Sequence, residues 1–88
     1  MKPLNLVHLN ALKSVEAVAR LGSLQAAADE LGVSAGAVSQ QVIKAEAQLG
    51  RALFERTPRG MVATAAALPV LQRLTAGFRL LGEAVAEG

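Results

Sequence analysis

Between Ser34 and Lys44 the chain gathers hydroxyl, amide and ammonium groups among very small neighbours: Ser34, Ala35, Gly36, Ser39, Gln40 and Lys44. None is a nucleophile beside a base. What they can do is hydrogen-bond and leave room. A glutamine amide can pair bidentately with adenine, a serine hydroxyl can bond a base or a phosphate, and the methyl of Ala35 can touch that of thymine. At the start of a helix, the free amides of the first turn add an anion site. Almost bare of side chains, Ala35-Gly36 would let a large body approach that backbone, and a DNA duplex is such a body. Further on, Lys44, Arg51 and Arg59 can bind phosphates, with Thr57 nearby; a turn that sets Arg59 beside Gly60 suits a phosphate or minor-groove contact. Arg56 has a more local reading, pairing with Glu46 or Glu55 and so holding its segment to the preceding helix.

Each residue also has a plainer role. Ser34 can be only a helix cap, Gly36 a small residue beneath a loop, and Gln40 a solvated side chain. Their grouping on one segment favours recognition. Catalysis finds no support: there is no pocketed carboxylate pair, no activated nucleophile and no phosphate-cradling GxxxxGK[ST]. The chain has no cysteine, and its one histidine, His8, lacks acidic or histidine neighbours at ligand spacing, so no metal or other cofactor is expected.

The elements that must position these groups can be read from periodicity. Leu9, Leu12, Val15 and Ala19 recur at helical spacing, with Lys13, Glu16 and Arg20 expected on the solvent side, which predicts a helix from about Leu9 to Leu21. Pro3 and Asn5 suggest an extended lead-in. Gly22 stops the first helix and Ser23 caps a second, in which Leu24, Ala27, Ala28 and Leu31 point inward and Asp29 and Glu30 outward. After Gly32-Val33-Ser34, a third helix runs from Ala35 to Leu49 with Val38, Val42, Ala45 and Leu49 on its inner stripe. Gly36, Gln40, Ile43 and Ala47 then face out. Two helices joined by a short Gly-containing turn form a helix-turn-helix. Leu53-Phe54 and Met61-Val62, separated by the turn residues Thr57-Pro58-Arg59-Gly60, predict a β-hairpin over about residues 53–63, the wing.

Thr64 can cap a last helix from about Ala65 to Ala86, with Pro69 bending it slightly in its first turns. Leu71, Leu74, Phe78, Leu81 and Val85 follow at spacings that form an a/d seam. Residues 67–71 are expected to pack on the chain's own core, and the rest of the seam to meet a second copy. The predicted fold is therefore all-α with a small β-wing: a winged helix-turn-helix over residues 1–64 and a linker or dimerisation helix over residues 65–88.

Composition sets the limits. Eighty-eight residues make one small domain, and so small a core gains from oligomerisation. A net charge of +2 and a pI near 9.7 permit nucleic-acid binding without requiring it. The start of the chain lacks the apolar run of a signal peptide, and Gly60 to Gln72, an uncharged stretch as long as any in the chain, is too short for a bilayer. The expected setting is cytoplasmic, on the nucleoid of a bacterium, with no membrane partner.

The series AVARLGSLQAAADELGVS, AVSQQV and E-x-x-LG-x-x-LFERT-x-RG, followed by Val62 to Thr64, resembles the N-terminal DNA-binding domain of LysR-type transcriptional regulators. The resemblance covers about Leu9 to Thr64. It implies a dimer formed through the linker helix and bound to a partly palindromic promoter site. On the family's pattern, the DNA-facing positions would be Ser34, Ala35, Gly36, Ser39, Gln40, Lys44 and Arg59, with Thr57 nearby. This chain departs from the pattern at Ala35, Gly36, Gln40, Ile43, Ala45 and Val15; the family usually has Arg at Gln40 and a basic residue at Ile43. Family members normally continue into a large α/β effector domain. A chain ending at Gly88, whether an excised domain or a naturally short protein, is expected to hold no small-molecule effector site. The rival expectation is a winged-helix protein-interaction module that pairs with another regulator without strong DNA binding of its own.

Overall fold

A computed structural model describes residues 8–88; the extended lead-in expected around Pro3 and Asn5 lies outside them. Three helices come first, α1 Leu9–Leu21, α2 Leu24–Leu31 and α3 Ala35–Leu49. Serine caps open the second and third. Ser23 Oγ accepts the Ala26 amide at 2.9 Å, and Ser34 Oγ accepts the Ala37 amide at 3.1 Å, each satisfying an amide the helix itself leaves unpaired. Gly32, at φ 71°, adopts the left-handed conformation that lets α2 end and α3 begin within the turn Gly32-Val33-Ser34.

A two-stranded antiparallel hairpin follows, β1 Phe54–Thr57 and β2 Gly60–Ala63, in the register Phe54↔Ala63, Glu55↔Val62, Arg56↔Met61 and Thr57↔Gly60. The predicted helix from Ala65 begins instead as a single 3-10 turn, Ala65–Ala67, capped by Thr64; the α-helix proper, α4, is Leu68–Glu87. Pro69 therefore lies in the first turn of α4 rather than inside it, where no intrahelical bond is lost, and the expected bend there has no cause.

The central element is α1, which packs against α2, α3 and α4. In its middle, Ala11, Leu12, Ser14, Val15, Glu16, Ala17 and Val18 are buried, while Lys13 stays exposed. The one-sided helix read from periodicity is thus corrected at both edges: Leu9 is exposed, and Glu16, expected in solvent, is only 7% exposed because α4 covers it. Its carboxylate is satisfied there. Arg20 donates to it through Nε at 3.0 Å, and Thr75 on α4 donates its hydroxyl at 3.1 Å. Such partners are what make a buried charge tolerable. Arg20 also pairs with Glu30 on α2.

Val15, Val18, Val38, Val42 and Leu53 are the largest fully buried side chains. The core continues past Thr64, for Ala67 and Leu71 belong to it. On α3, Val38, Val42 and Ala45 point inward as predicted, but Leu49 is 38% exposed, the helix having run past the core by its last turn. The architecture is a winged helix-turn-helix followed by a long C-terminal helix. Among the described residues no helix is long and apolar enough to cross a membrane.

Candidate nucleic-acid interface

The first turn of α3 lies open. Gly36 and Ala37 are exposed, and among the described residues nothing requires Gly36 to be glycine: an added Cβ would meet only Ser34 Oγ, at 3.9 Å. A glycine in a helix interior costs about 0.5–1 kcal/mol relative to alanine. Ala35 is half-buried against the core, so its methyl is less available than the sequence suggested. Gln40 and Lys44 continue the exposed stripe from Gly36 at four-residue steps, with Ile43 beside them, 49% exposed.

Arg51 does not join this group. It follows Gly50 at the far end of the 15-residue α3, about 22 Å along the axis from Ala35 at the usual helical rise. Its cation is exposed there.

The wing is fastened to the body at its root and along β2. Glu46, on the inner side of α3, accepts the amides of Leu53 at 2.7 Å and Phe54 at 3.3 Å. On the other strand the Met61 amide donates to the Gly22 carbonyl at 3.1 Å. Gly60 makes that approach possible: its φ is +125°, and a Cβ there would stand 2.5 Å from the Gly22 oxygen. At the tip, Pro58 and Arg59 turn the chain with no positive φ, in keeping with a type I turn that has proline second and glycine last. Thr57 is committed to this turn, its hydroxyl donating to the Gly60 carbonyl at 3.0 Å and accepting the Arg59 amide at 3.2 Å. It shapes the tip rather than reaching out from it. Arg59 stays exposed at the tip.

Arg56 corrects the expectation attached to it. Glu46 is occupied by the two amides at the wing root, and Glu55, as the adjacent strand residue, points to the opposite face. Arg56 instead shares the side of buried Phe54 and reaches α3, where Nη2 donates to Ser39 Oγ at 2.8 Å. The wing and the recognition helix therefore meet through Ser39, expected at the DNA-facing side, and Arg56, expected to pair with a carboxylate. The missed signal was the two-residue period from Phe54 to Arg56. Among the described residues every ion pair belongs to Arg20, so Lys44, Arg51, Arg56 and Arg59 keep uncompensated charge on the α3 and wing side.

On α4, Leu71 is 3% exposed and lies in this chain's own core, so it is no part of an open seam. Leu74 and Phe78 are half-buried against that core. The apolar face beyond is uncovered, with Leu81 53% and Val85 81% exposed and Leu80 beside them. A groove of about 260 Å³ between α1 and α4, lined by Leu9, Leu12, Leu74, Phe78 and Leu81 among others, adjoins it.

Residues 9–68 match the family model described as bacterial regulatory helix-turn-helix protein, lysR family. The HTH-type transcriptional regulator y4mQ of Sinorhizobium fredii is 44% identical over 88% of the chain and 26% of its own length. A carbapenem-hydrolyzing beta-lactamase transcriptional activator of Serratia marcescens is 43% identical over 92% of the chain and 28% of its own length. The chain thus spans about a quarter of the length of these curated relatives, both named as regulators rather than enzymes. Among solved structures, a CbnR DBD–DNA complex superposes with a TM-score of 0.78 at 34% identity, over 92% of this chain and 93% of that one.

Proposed function

This chain belongs to the lysR family of bacterial regulatory helix-turn-helix proteins, and from that membership we propose that it binds double-stranded DNA sequence-dependently, as the reading unit of a cytoplasmic, nucleoid-associated transcriptional regulator. The observation that carries the reading is the open start of α3: a glycine that no contact among the described residues explains, at the head of an exposed Gly36–Gln40–Lys44 stripe. α3 enters the major groove by its N-terminal half, where Ser34, Gly36, Ser39 and Gln40 reach phosphates and base edges. Arg59 at the wing tip lies along the backbone or minor groove. Lys44, Arg51 and Arg59 add charge that makes affinity fall with salt. The likeness to a domain solved with DNA supports this reading over a protein-binding module, whose best support is the exposed Ile43.

The free half of α4 pairs two copies, through Leu81 and Val85 with Leu74 and Phe78 at the edge. Two recognition helices then face successive major grooves, about 34 Å apart on the duplex. Selection of bound duplexes from a random pool, followed by anisotropy titration between about 50 and 200 mM salt, tests the reading. A recovered consensus and a steep salt dependence are expected, with Arg59→Ala lowering the salt slope by about one for each protomer bound. Binding that is indifferent to salt, or a pool that yields no consensus, would overturn it.

A further inference from the structure

We propose that Arg56 and Ser39 together form a clamp for one backbone phosphate, at the seam where the wing meets α3; this rests on reading the chain as a DNA-binding domain. The two side chains already touch, Nη2 to Oγ at 2.8 Å. In that bond the guanidinium spends one of its five N–H groups and the hydroxyl spends a lone pair, so four N–H groups and one O–H remain. What the pair presents outward is dominated by donors and carries a full positive charge. The purely accepting, negatively charged group on a duplex is the phosphate, whereas base edges in the groove mix donors with acceptors. A planar guanidinium also fits two phosphate oxygens at once.

The frame around the pair supports the same assignment. No carboxylate neutralises Arg56: the Glu46 carboxylate is taken by the Leu53 and Phe54 amides, and Glu55 lies on the other face of β1. Nor does the wing drift, since Glu46 holds its first strand and the Gly22 carbonyl its second. Much of the ordering that a long arginine side chain must undergo on binding is therefore complete beforehand. The residue pattern assigned Arg56 to an internal ion pair, which would have removed it from any interface; the geometry returns it.

The test uses the full chain and the duplex its own selection recovers, with anisotropy titrations at several salt concentrations and thermal melts to check folding. Arg56→Met is expected to weaken binding about tenfold, by a similar factor on the selected duplex and on a scrambled one, and to lower the salt slope by about one for each protomer bound. Ser39→Ala should weaken binding a few-fold and leave the slope unchanged. The double variant should be little worse than Arg56→Met alone, because both side chains serve one phosphate. Arg56→Lys keeps the charge and stays informative should the methionine variant fail to fold; it should retain the slope while losing affinity, since an ammonium cannot replace the fork. A scan of neutral methylphosphonates placed symmetrically in both half-sites should contain one position at which parent and Arg56→Met bind alike. An unchanged slope in Arg56→Met, or a loss confined to duplexes altered at one base pair, overturns the clamp. A parent that binds no duplex in a salt-dependent way overturns the underlying reading as well, and the two failures are told apart by the parent titration.

Discussion

α3 and α4 are both long helices with one face packed and one face free, yet their free faces are opposites. Along α3 the free side is small, polar and cationic, with Gly36, Gln40 and Lys44 in line and Arg56 leaning in from the wing. Along the second half of α4 it is apolar, with Leu80, Leu81 and Val85 uncovered. Uncovered leucine and valine lose free energy to water, about 25 cal/mol for each Å², so the end of α4 gains from any apolar cover. The free side of α3, Ile43 apart, gains little from such cover and much from an anion. One molecule therefore carries two unfinished surfaces that cannot substitute for each other.

The strongest way to break this contrast is to remove what holds the α3 surface together. Leu53 is fully buried at the root of the wing. Leu53→Ala should cost about 2–5 kcal/mol and appear as a large fall in melting temperature by calorimetry, with salt-dependent DNA binding weakened in step. A variant that melts like the parent would mean the wing root contributes little to the core.

Next in size is Glu46→Gln. A carboxylate that accepts two backbone amides is replaced by an amide that keeps one acceptor oxygen but loses the charge. Hydrogen bonds to charged groups contribute about 1.5–3 kcal/mol, so a loss of about 2 kcal/mol is expected in urea unfolding, with hydrogen exchange at the Leu53 and Phe54 amides accelerated while the α1 core stays protected. Exchange unchanged at those two amides would sink the assignment of Glu46 as the wing's anchor.

These two variants mark where the sequence was legible and where it was not. The helix bounds could be read because each is written locally: Ser23 and Ser34 cap, and Gly22, Gly32 and Gly50 stop. The hairpin could be read from Thr57-Pro58-Arg59-Gly60. What could not be read is set by packing between distant segments. Glu16 belongs to a charged pattern that ordinarily faces water, and only the arrival of Thr75, 59 residues later, buries and satisfies it. Likewise Glu46 was offered to Arg56, because sequence matches charge with charge while the fold gave that carboxylate to two amides. The candidate site was legible as a set of small polar residues on α3. Its division of labour was not: Thr57 is internal to its turn, Arg51 stands at the other end of the helix, and Arg56 reaches Ser39 rather than a carboxylate.

A test on the opposite surface should leave the fold nearly untouched. Replacing Leu81 and Val85 together by Asn exposes no new core, so the unfolding free energy of the monomer should change by less than about 0.5 kcal/mol. Sedimentation equilibrium should nonetheless show weakened self-association, and the dependence of melting temperature on protein concentration should flatten. Equal self-association in parent and variant would remove α4 from the interface between copies.

The smallest effect is expected where α4 is tied to α1 and α2. A polar chain runs from Thr75 on α4 to Glu16, from Glu16 to Arg20, and from Arg20 to Glu30 on α2. Its outer end is exposed. Hydrogen bonding to the Arg20 guanidinium holds the Glu30 carboxyl below its usual range. A carboxyl whose folded pKa is depressed contributes stability above its unfolded value, about 4.3, and loses it as pH falls through the folded value. At neutral pH, Glu30→Gln should therefore cost only a few tenths of a kcal/mol, solvent screening discounting the rest. Parent and variant should converge as acid protonates Glu30, and also as salt rises. A neutral-pH loss above about 1 kcal/mol that persists at high salt would show that the Arg20–Glu30 link couples α2 to α4 through Glu16.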